Sequence, residues 1–386
     1  MKGAILKAVK VRLYPSSADE FKIASQNGGV RYVYNRTLKL RKYAYEKFGK
    51  SISKFDLIKH ITKLRNRKST SWLKDVDSQA LQQSVANMHS AYECFFKGGG
   101  YPKFKSKHHS RQSFQYPQRV RIEGNKIYLP KVGWVKMKGW RNISGTIKTV
   151  TVSHEANQYH ASILIEEKQA PLVFKSTKPT IGIDVGVKNV VTDSDGFKHK
   201  PLKLDKELSK LRLRAKQLSR KKKGSKNRKK AKNKLTKINL KIANKRKDFL
   251  HKLSTQYAEN QSIVFVEDLK IKNMTKSSKG TTQTPGKNVK QKSALNRVIT
   301  QQSWGMFFEL LSYKLQDKGG ELIKVAPEHT SQTCNNCGHI NKKNRKSQSK
   351  FVCLSCSHTD NADINAAKNI HDRGLHGINA SQQITA

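Results

Sequence analysis

Residues 353–370 read CLSCSHTDNADINAAKNI. Two cysteines with the spacing of a metal knuckle run, seven residues after Cys356, into Asp363 at the head of an alanine-rich helical stretch. Either the cysteines form an independent finger with an incidental acidic linker, or the finger and Asp363 belong to one site. Upstream, Cys334 and Cys337 complete an array of C-x2-C, fifteen intervening residues, and C-x2-C. That spacing suits four thiolates around one structural zinc ion and not a secreted disulfide framework. The fifth cysteine, Cys94 in AYECFF, reads as a buried packing residue on an apolar helix face.

Charge narrows the partners. The 386 residues hold 78 Lys plus Arg against 27 Asp plus Glu, a formal net charge of +51. Self-repulsion on that scale disfavours a compact chain unless a polyanion neutralises it. A short protein–DNA contact covers roughly 6–10 phosphates, so the surplus points to a longer bound nucleic acid. No run of 18 apolar residues exists, and MKGAILKAVKVRLYP lacks the apolar core of a signal peptide. The expectation is a soluble intracellular nucleic-acid protein without a membrane partner.

The pattern along the chain predicts an α+β multi-domain protein. ILKAVKVRLYP reads as a strand ended by Pro15. Residues 17–98 then turn helical, with Leu81, Val85, Met88, Tyr92 and Phe95 on one seam behind a Ser78 cap. Tyr32, Tyr34, Tyr43 and Tyr45 read as core packing, with base stacking as the minority use. Residues 99–172 return to β pattern. They include the basic loop GGGYPKFKSK, whose Lys103 and Lys105 are candidate phosphate contacts, and a hairpin turning at Gly124–Asn125. Strands on both sides of a helical insertion imply a β-barrel-like domain interrupted by a helical one.

Beyond Pro171, PTIGIDVGVKNVVTDSDG reads as two apolar strands, with Asp193 and Asp195 serving the turn. Residues 203–252 hold 22 Lys or Arg and 3 Asp or Glu, arranged as a helical hairpin broken at Gly224–Ser225. Lys221, Lys222, Lys223, Arg228, Lys229 and Lys230 at its tip are candidate nucleic-acid contacts. SIVFVEDL is a short buried strand, residues 274–292 a mobile lid loop, and SWGMFFELLSYKLQDKGG an amphipathic helix. ELIKVA is a further strand, and residues after Gly374 look frayed.

Carboxylates are scarce, so their positions are informative. Asp184 ends the strand TIGI, Glu267 ends IVFV, and Asp363 opens a helix. Each has a bland role available: a turn beside Gly186, a lysine partner, or a helix-dipole partner competing with Asp360 or Asn361 as the cap. Together they suit hard divalent cations, because converging carboxylates repel and Mg²⁺ prefers oxygen ligands. Two such ions support phosphodiester hydrolysis.

GIDVGVKN, VFVEDL, NRVITQQSWG, HTSQTCNNCG and DNADINAAKNI, in this order, closely resemble TnpB, the RNA-guided endonuclease family of insertion sequences related to type V CRISPR effectors. The resemblance spans most of the chain, including GVRYVYN, SQALQQSV, AYECFF, YPKFKSK and RKDFLHKLS. It implies a wedge β-barrel domain (1–16 and 99–172) with an inserted helical recognition module (17–98). It also implies an RNase H-like (RuvC) nuclease domain (178–330 and 358–374) carrying the basic hairpin (203–258) and the lid (274–292), a zinc-binding target-nucleic-acid segment (331–357), and a tail (375–386). Asp184, Glu267 and Asp363 match the family's catalytic Asp, Glu and Asp, the ligands of two Mg²⁺ ions. Arg345 matches an arginine that assists cleavage in the related CRISPR enzymes; alone, it also reads as a phosphate-contacting loop residue. The implied partners are a guide RNA from the transposon end and double-stranded target DNA, with one protein per RNA in a prokaryotic cytoplasm. An RNA-independent DNA transposase and a non-cleaving RNA-guided repressor are the competing functions.

Overall fold

The computed structural model describes residues 4–108, 111–140, 145–168 and 178–384; the connector expected around Pro171 lies outside them. The chain divides at Pro171 and Leu172 into two compact units. Among the described residues no helix is long and apolar enough to cross a membrane.

The first unit opens with β1 (Ala4–Tyr14), followed by α1 (Ser17–Phe48), α2 (Lys54–Asn66) and α3 (Ser78–Phe96). A capping box starts α1: the Ser16 hydroxyl accepts from the Asp19 N–H, and Asp19 accepts from the Ser16 N–H. Gly49, left-handed at φ 62°, ends it. Six more strands follow: β2 (Arg111–Tyr116), β3 (Arg121–Glu123), β4 (Lys126–Leu129), β5 (Gly133–Lys138), β6 (Thr146–Glu155) and β7 (Gln158–Lys168). The β3–β4 hairpin turns at Gly124–Asn125, as the sequence suggests.

All seven strands join one antiparallel sheet in the order β2-β6-β7-β1-β5-β4-β3. Its ends, β2 and β3, are not paired with each other, so the expected barrel is an open half-barrel. Val11 and Leu13 of β1 share a single core with Leu81, Val85 and Met88 of α3.

Several local expectations are corrected here. The α3 cap is Asp77, whose carboxylate accepts from the Ala80 N–H at 3.0 Å, in place of Ser78. Phe95, Tyr43 and Tyr45 are exposed instead of packed. Cys94 is also exposed, because the end of α3 runs beyond the sheet-facing seam.

In the second unit, β8 (Thr180–Asp184), β9 (Val191–Asp193) and β10 (Lys198–His199) form an antiparallel set. The basic hairpin is α4 (Asp205–Ser219) and α5 (Lys226–Asn260). Then come β11 (Ile263–Glu267), a one-turn α6 (Ile271–Met274), α7 (Val289–Gln302), α8 (Trp304–Asp317) and β12 (Glu321–Val325). The sheet order is β10-β9-β8-β11-β12, with β8, β11 and β12 parallel. The cysteine segment contributes β13 (Lys350–Val352) and β14 (Thr359–Asn361), followed by α9 (Ala362–Ile384). Helix α9 therefore runs well past Gly374, where fraying was expected. The loop expected over 274–292 gives way to α7 at Val289, a helix whose polar sequence hides its period.

TIGI and IVFV are apolar on both faces because helices cover both sides of this sheet. Ile181, Ile183, Val264 and Val266 share a core with Leu250, Leu253, Phe307 and Leu311 of α5 and α8. On the other face Phe265 and Val325 pack with Ile370 of α9. Glycine sets that approach. A Cβ on Gly182 would stand 2.2 Å from the Ala367 carbonyl, and one on Gly374 would stand 2.0 Å from the Phe265 ring.

Candidate active site and zinc centre

Strand alternation aims the first two carboxylates. Side chains alternate faces along a strand, so Asp184 shares the face of Gly182, and Glu267 shares the face of Phe265. That is the face α9 covers. Ile183 and Val266 are register partners, so Asp184 and Glu267 end neighbouring parallel strands about 4.8 Å apart. Asp363 lies in the first turn of α9. The competing cap is settled by Asn361, whose side-chain oxygen accepts from the Asp363 N–H at 3.2 Å. Asp360 instead pairs with Lys368 at 2.8 Å. The Asp363 carboxylate is therefore free to face the site.

The electrostatics match convergence. Burial, then the charges of Glu267 and Asp363, push Asp184 up to about 7; Arg345 and the Val185 N–H oppose this. Burial raises Glu267 as well, against the Thr330 hydroxyl and Arg373. Arg345 lies on Asp363, Nη2 to Oδ1 at 3.3 Å, and so is within reach of the carboxylate group. Oxygen donors that repel one another fit a hard divalent cation.

Sequence reasoning missed the residues that brace this site. The buried Thr330 donates its hydroxyl to Glu267 Oε1, and its carbonyl accepts from Asn369 of α9 at 2.8 Å. Asn365 of α9, fully buried, donates to the Thr333 carbonyl at 2.8 Å and accepts from the Asn335 N–H at 3.0 Å. Asn335 in turn donates to Asp372 at 2.6 Å. The asparagines in DINAAKN were the available signal, since buried amides need partners. They tie the first cysteine turn to the helix that carries Asp363.

The four cysteines converge, with all Sγ atoms within 4.8 Å of one another. Cys334 and Cys356 are 3.7 Å apart, and Cys337 and Cys353 are 3.6 Å apart. Tetrahedral zinc with bonds of about 2.3 Å needs sulfur separations of about 3.8 Å, so the set fits. The two turns repeat each other: Cys334 N–H donates to His339 O at 3.0 Å, and Cys353 N–H donates to His358 O at 2.9 Å.

The candidate nucleic-acid residues divide. Lys103, Lys221, Lys222, Lys223, Lys229 and Lys230 are exposed. Lys105 is exposed as well, and its ammonium lies 4.2 Å from the centre of the Tyr34 ring. Arg228 Nη1 caps α4, donating to Leu218 O and Lys221 O at 2.9 Å each. Asp193 performs its expected turn role by accepting from the Phe197 N–H at 2.8 Å, and it also accepts from the Tyr257 hydroxyl at 2.8 Å.

Fold and site together define an α+β protein that gathers three carboxylates at the C-terminal ends of two interior strands and the start of α9, beside a four-cysteine centre. Three family descriptions match: "Probable transposase" (OrfB_IS605) at 162–278, "Cas12f1-like, TNB domain" at 304–370, and "Helix-turn-helix domain" (HTH_OrfB_IS605) at 1–50. Over 4–50 the chain is a strand and one long helix, with no helical turn motif. The chain is 40% identical to "Putative RNA-guided DNA endonuclease InsQ" of Escherichia coli (strain K12), covering 95% of this chain and 91% of that protein. It is 30% identical to "Putative RNA-guided DNA endonuclease" of Streptomyces pristinaespiralis, over 97% and 91%. A shorter match, 42% over 72 residues, is to "CRISPR-associated endodeoxyribonuclease Cas12f1" of Sulfoacidibacillus thermotolerans, covering 18% of this chain and 17% of that protein. The chain belongs to the TnpB-like OrfB family of insertion-sequence proteins.

Proposed function

We propose that this protein is an RNA-guided DNA endonuclease of a transposable element. It hydrolyses DNA phosphodiester bonds next to a short adjacent motif. The observation that carries the reading is the meeting of Asp184, Glu267 and Asp363 on one face of the second unit's sheet. The strand order, three antiparallel strands followed by two parallel ones, supports an RNase H-like (RuvC) assignment of that unit. A chain carrying +51 suits a long nucleic-acid partner. Guide pairing supplies sequence specificity, while the protein reads the motif and backbone shape.

Asp184, Glu267 and Asp363 would hold two Mg²⁺ ions, which when bound activate a water and stabilise the departing 3′ oxygen. Thr330 holds the Glu267 carboxylate in one orientation, and Asn361 leaves the carboxylate of Asp363 unengaged by its own helix. Arg345 balances part of the carboxylate charge and stands where it can meet a scissile phosphate. The cysteine centre would hold one structural zinc, since four thiolates leave no open position for catalysis.

The test is Asp184→Ala in protein carrying its own RNA, with matched DNA and Mg²⁺. Cleavage should vanish while target binding persists. Unaltered protein that binds matched DNA without cutting it would instead make the chain a repressor. Cutting and joining of transposon ends without RNA would make it a transposase.

A further inference from the structure

A second candidate site lies wholly in the first unit. The end of α1, the end of α3 and the loop after it enclose a groove of about 420 Å³. Its walls are aromatic: Tyr45, Tyr92, Phe95, Phe96 and Tyr101 all line it. Tyr92 and Phe96 are stacked with centroids 6.3 Å apart, and Phe95 meets Tyr101 edge-on at 5.2 Å. Phe96 is nonetheless 73% exposed and Tyr45 67% exposed. Four large rings left open to water on a highly charged chain call for a ligand.

Two further observations say what kind. Arg41, also lining the groove, spreads its guanidinium over the Tyr92 ring at 4.3 Å. The guanidinium thereby adds a flat cationic plane to the aromatic wall. The wall is also pre-formed. Asn35 clamps Lys105 through both backbone groups, at 2.9 and 2.8 Å, and the Tyr92 and Tyr101 hydroxyls meet at 3.0 Å.

We propose that this groove holds an unpaired nucleobase of the bound RNA, stacked on the aromatic wall beside the Arg41 guanidinium. A base supplies a flat π face for the rings and the guanidinium, and a chain of net charge +51 favours a polyanion over an apolar protein surface. Folded RNA presents unstacked bases in loops and bulges; duplex DNA presents none until it is opened. Lys103, exposed two residues beyond Tyr101, suits an adjoining phosphate, while Lys42 is engaged by Glu46 at 3.5 Å. This inference rests on the proposal that the chain carries RNA.

The test uses full-length protein purified with its RNA. Ultraviolet crosslinking and peptide mass spectrometry should find nucleotide adducts within residues 92–103. Phe96→Ala should weaken rebinding of the co-purified RNA about tenfold, as loss of one stacked base does. The slope of log K against log salt should stay unchanged, since no phosphate contact is removed. Its melting temperature should match the unaltered protein, because Phe96 is largely exposed. Full RNA affinity in both Phe96→Ala and Arg41→Ala would overturn the groove assignment and leave the guide reading standing. Dimers abolished by Phe96→Ala without loss of RNA affinity would show that a second copy covers the groove. A chain that binds no RNA under any salt would overturn both readings.

Discussion

Replacing Asp184 by asparagine should stabilise the RNA-free, Mg²⁺-free protein while destroying its activity. Burial and two neighbouring carboxylates raise Asp184 from the ordinary 3.8 to about 7. The native state therefore holds this proton more tightly than the unfolded chain does. Between about pH 4 and pH 7 the unfolded aspartate is ionised and the native one resists ionisation, so stability falls as pH rises. Above pH 7 the loss is complete. A shift of about three units corresponds to about 4 kcal/mol, an upper limit because Asp184 keeps some contact with solvent. Asparagine resembles the neutral acid and escapes the loss. At roughly 2–4 °C per kcal/mol for a unit of this size, the variant should melt several degrees higher at pH 8. The gap should shrink to about 1.5 kcal/mol at pH 5 and close near pH 4. Added Mg²⁺ should raise the melting temperature of the unaltered protein and leave the variant nearly unmoved. Calorimetry from pH 4 to pH 8, with and without Mg²⁺, gives every quantity needed. A variant no more stable than the parent at pH 8, or equal Mg²⁺ shifts in both, would refute a carboxylate cluster built for a cation.

Three other perturbations probe the scaffold. Gly182→Ala places a methyl group against the Ala367 carbonyl and the His371 N–H, so urea unfolding should show a loss of about 1–3 kcal/mol or more. The same variant should lose cleavage because α9 must shift. Thr330→Val removes the hydroxyl that holds Glu267; a Mg²⁺ titration of cleavage should move to higher concentration, and Thr330→Ser should restore it. Metal analysis should find about one zinc per chain. Cys353→Ser should impair cleavage more than RNA binding, because the cysteine turns brace α9 through Asn335 and Asn365; equal loss of both would contradict that coupling.

What could be read in advance follows from where each signal is stored. TIGID and IVFVE declare themselves because apolar runs ending in acid have few uses other than buried strands that present a site. The cysteine spacing declares a metal centre for similar reasons of local chemistry. By contrast, Thr330, Asn365 and Asn369 act through partners that adjoin only once β12, the cysteine turn and α9 are assembled. Helix α7 escaped because it buries only Ile299 and Gln302 and so shows little apolar period. Cys94 and Phe95 were misplaced because a heptad-like seam says which face is apolar but not how far the neighbouring core extends. Arg228 shows the same limit for charge: in the sequence it is one basic residue among many, and only the structure shows its guanidinium capping α4.

In CLSCSHTDNADINAAKNI the second cysteine turn exits through β14 into the helix bearing Asp363, and the first is bonded to that helix, so the cysteine centre and Asp363 share one support. The most direct test of the central claim is a cleavage assay with protein carrying its co-purified RNA, on DNA matched to that RNA beside a randomised flanking library. The expected result is Mg²⁺-dependent cutting of matched DNA next to one short motif, lost on RNase treatment and in Asp184→Ala. Cutting that survives RNase treatment, or matched binding with no cutting at any Mg²⁺ concentration, would contradict it.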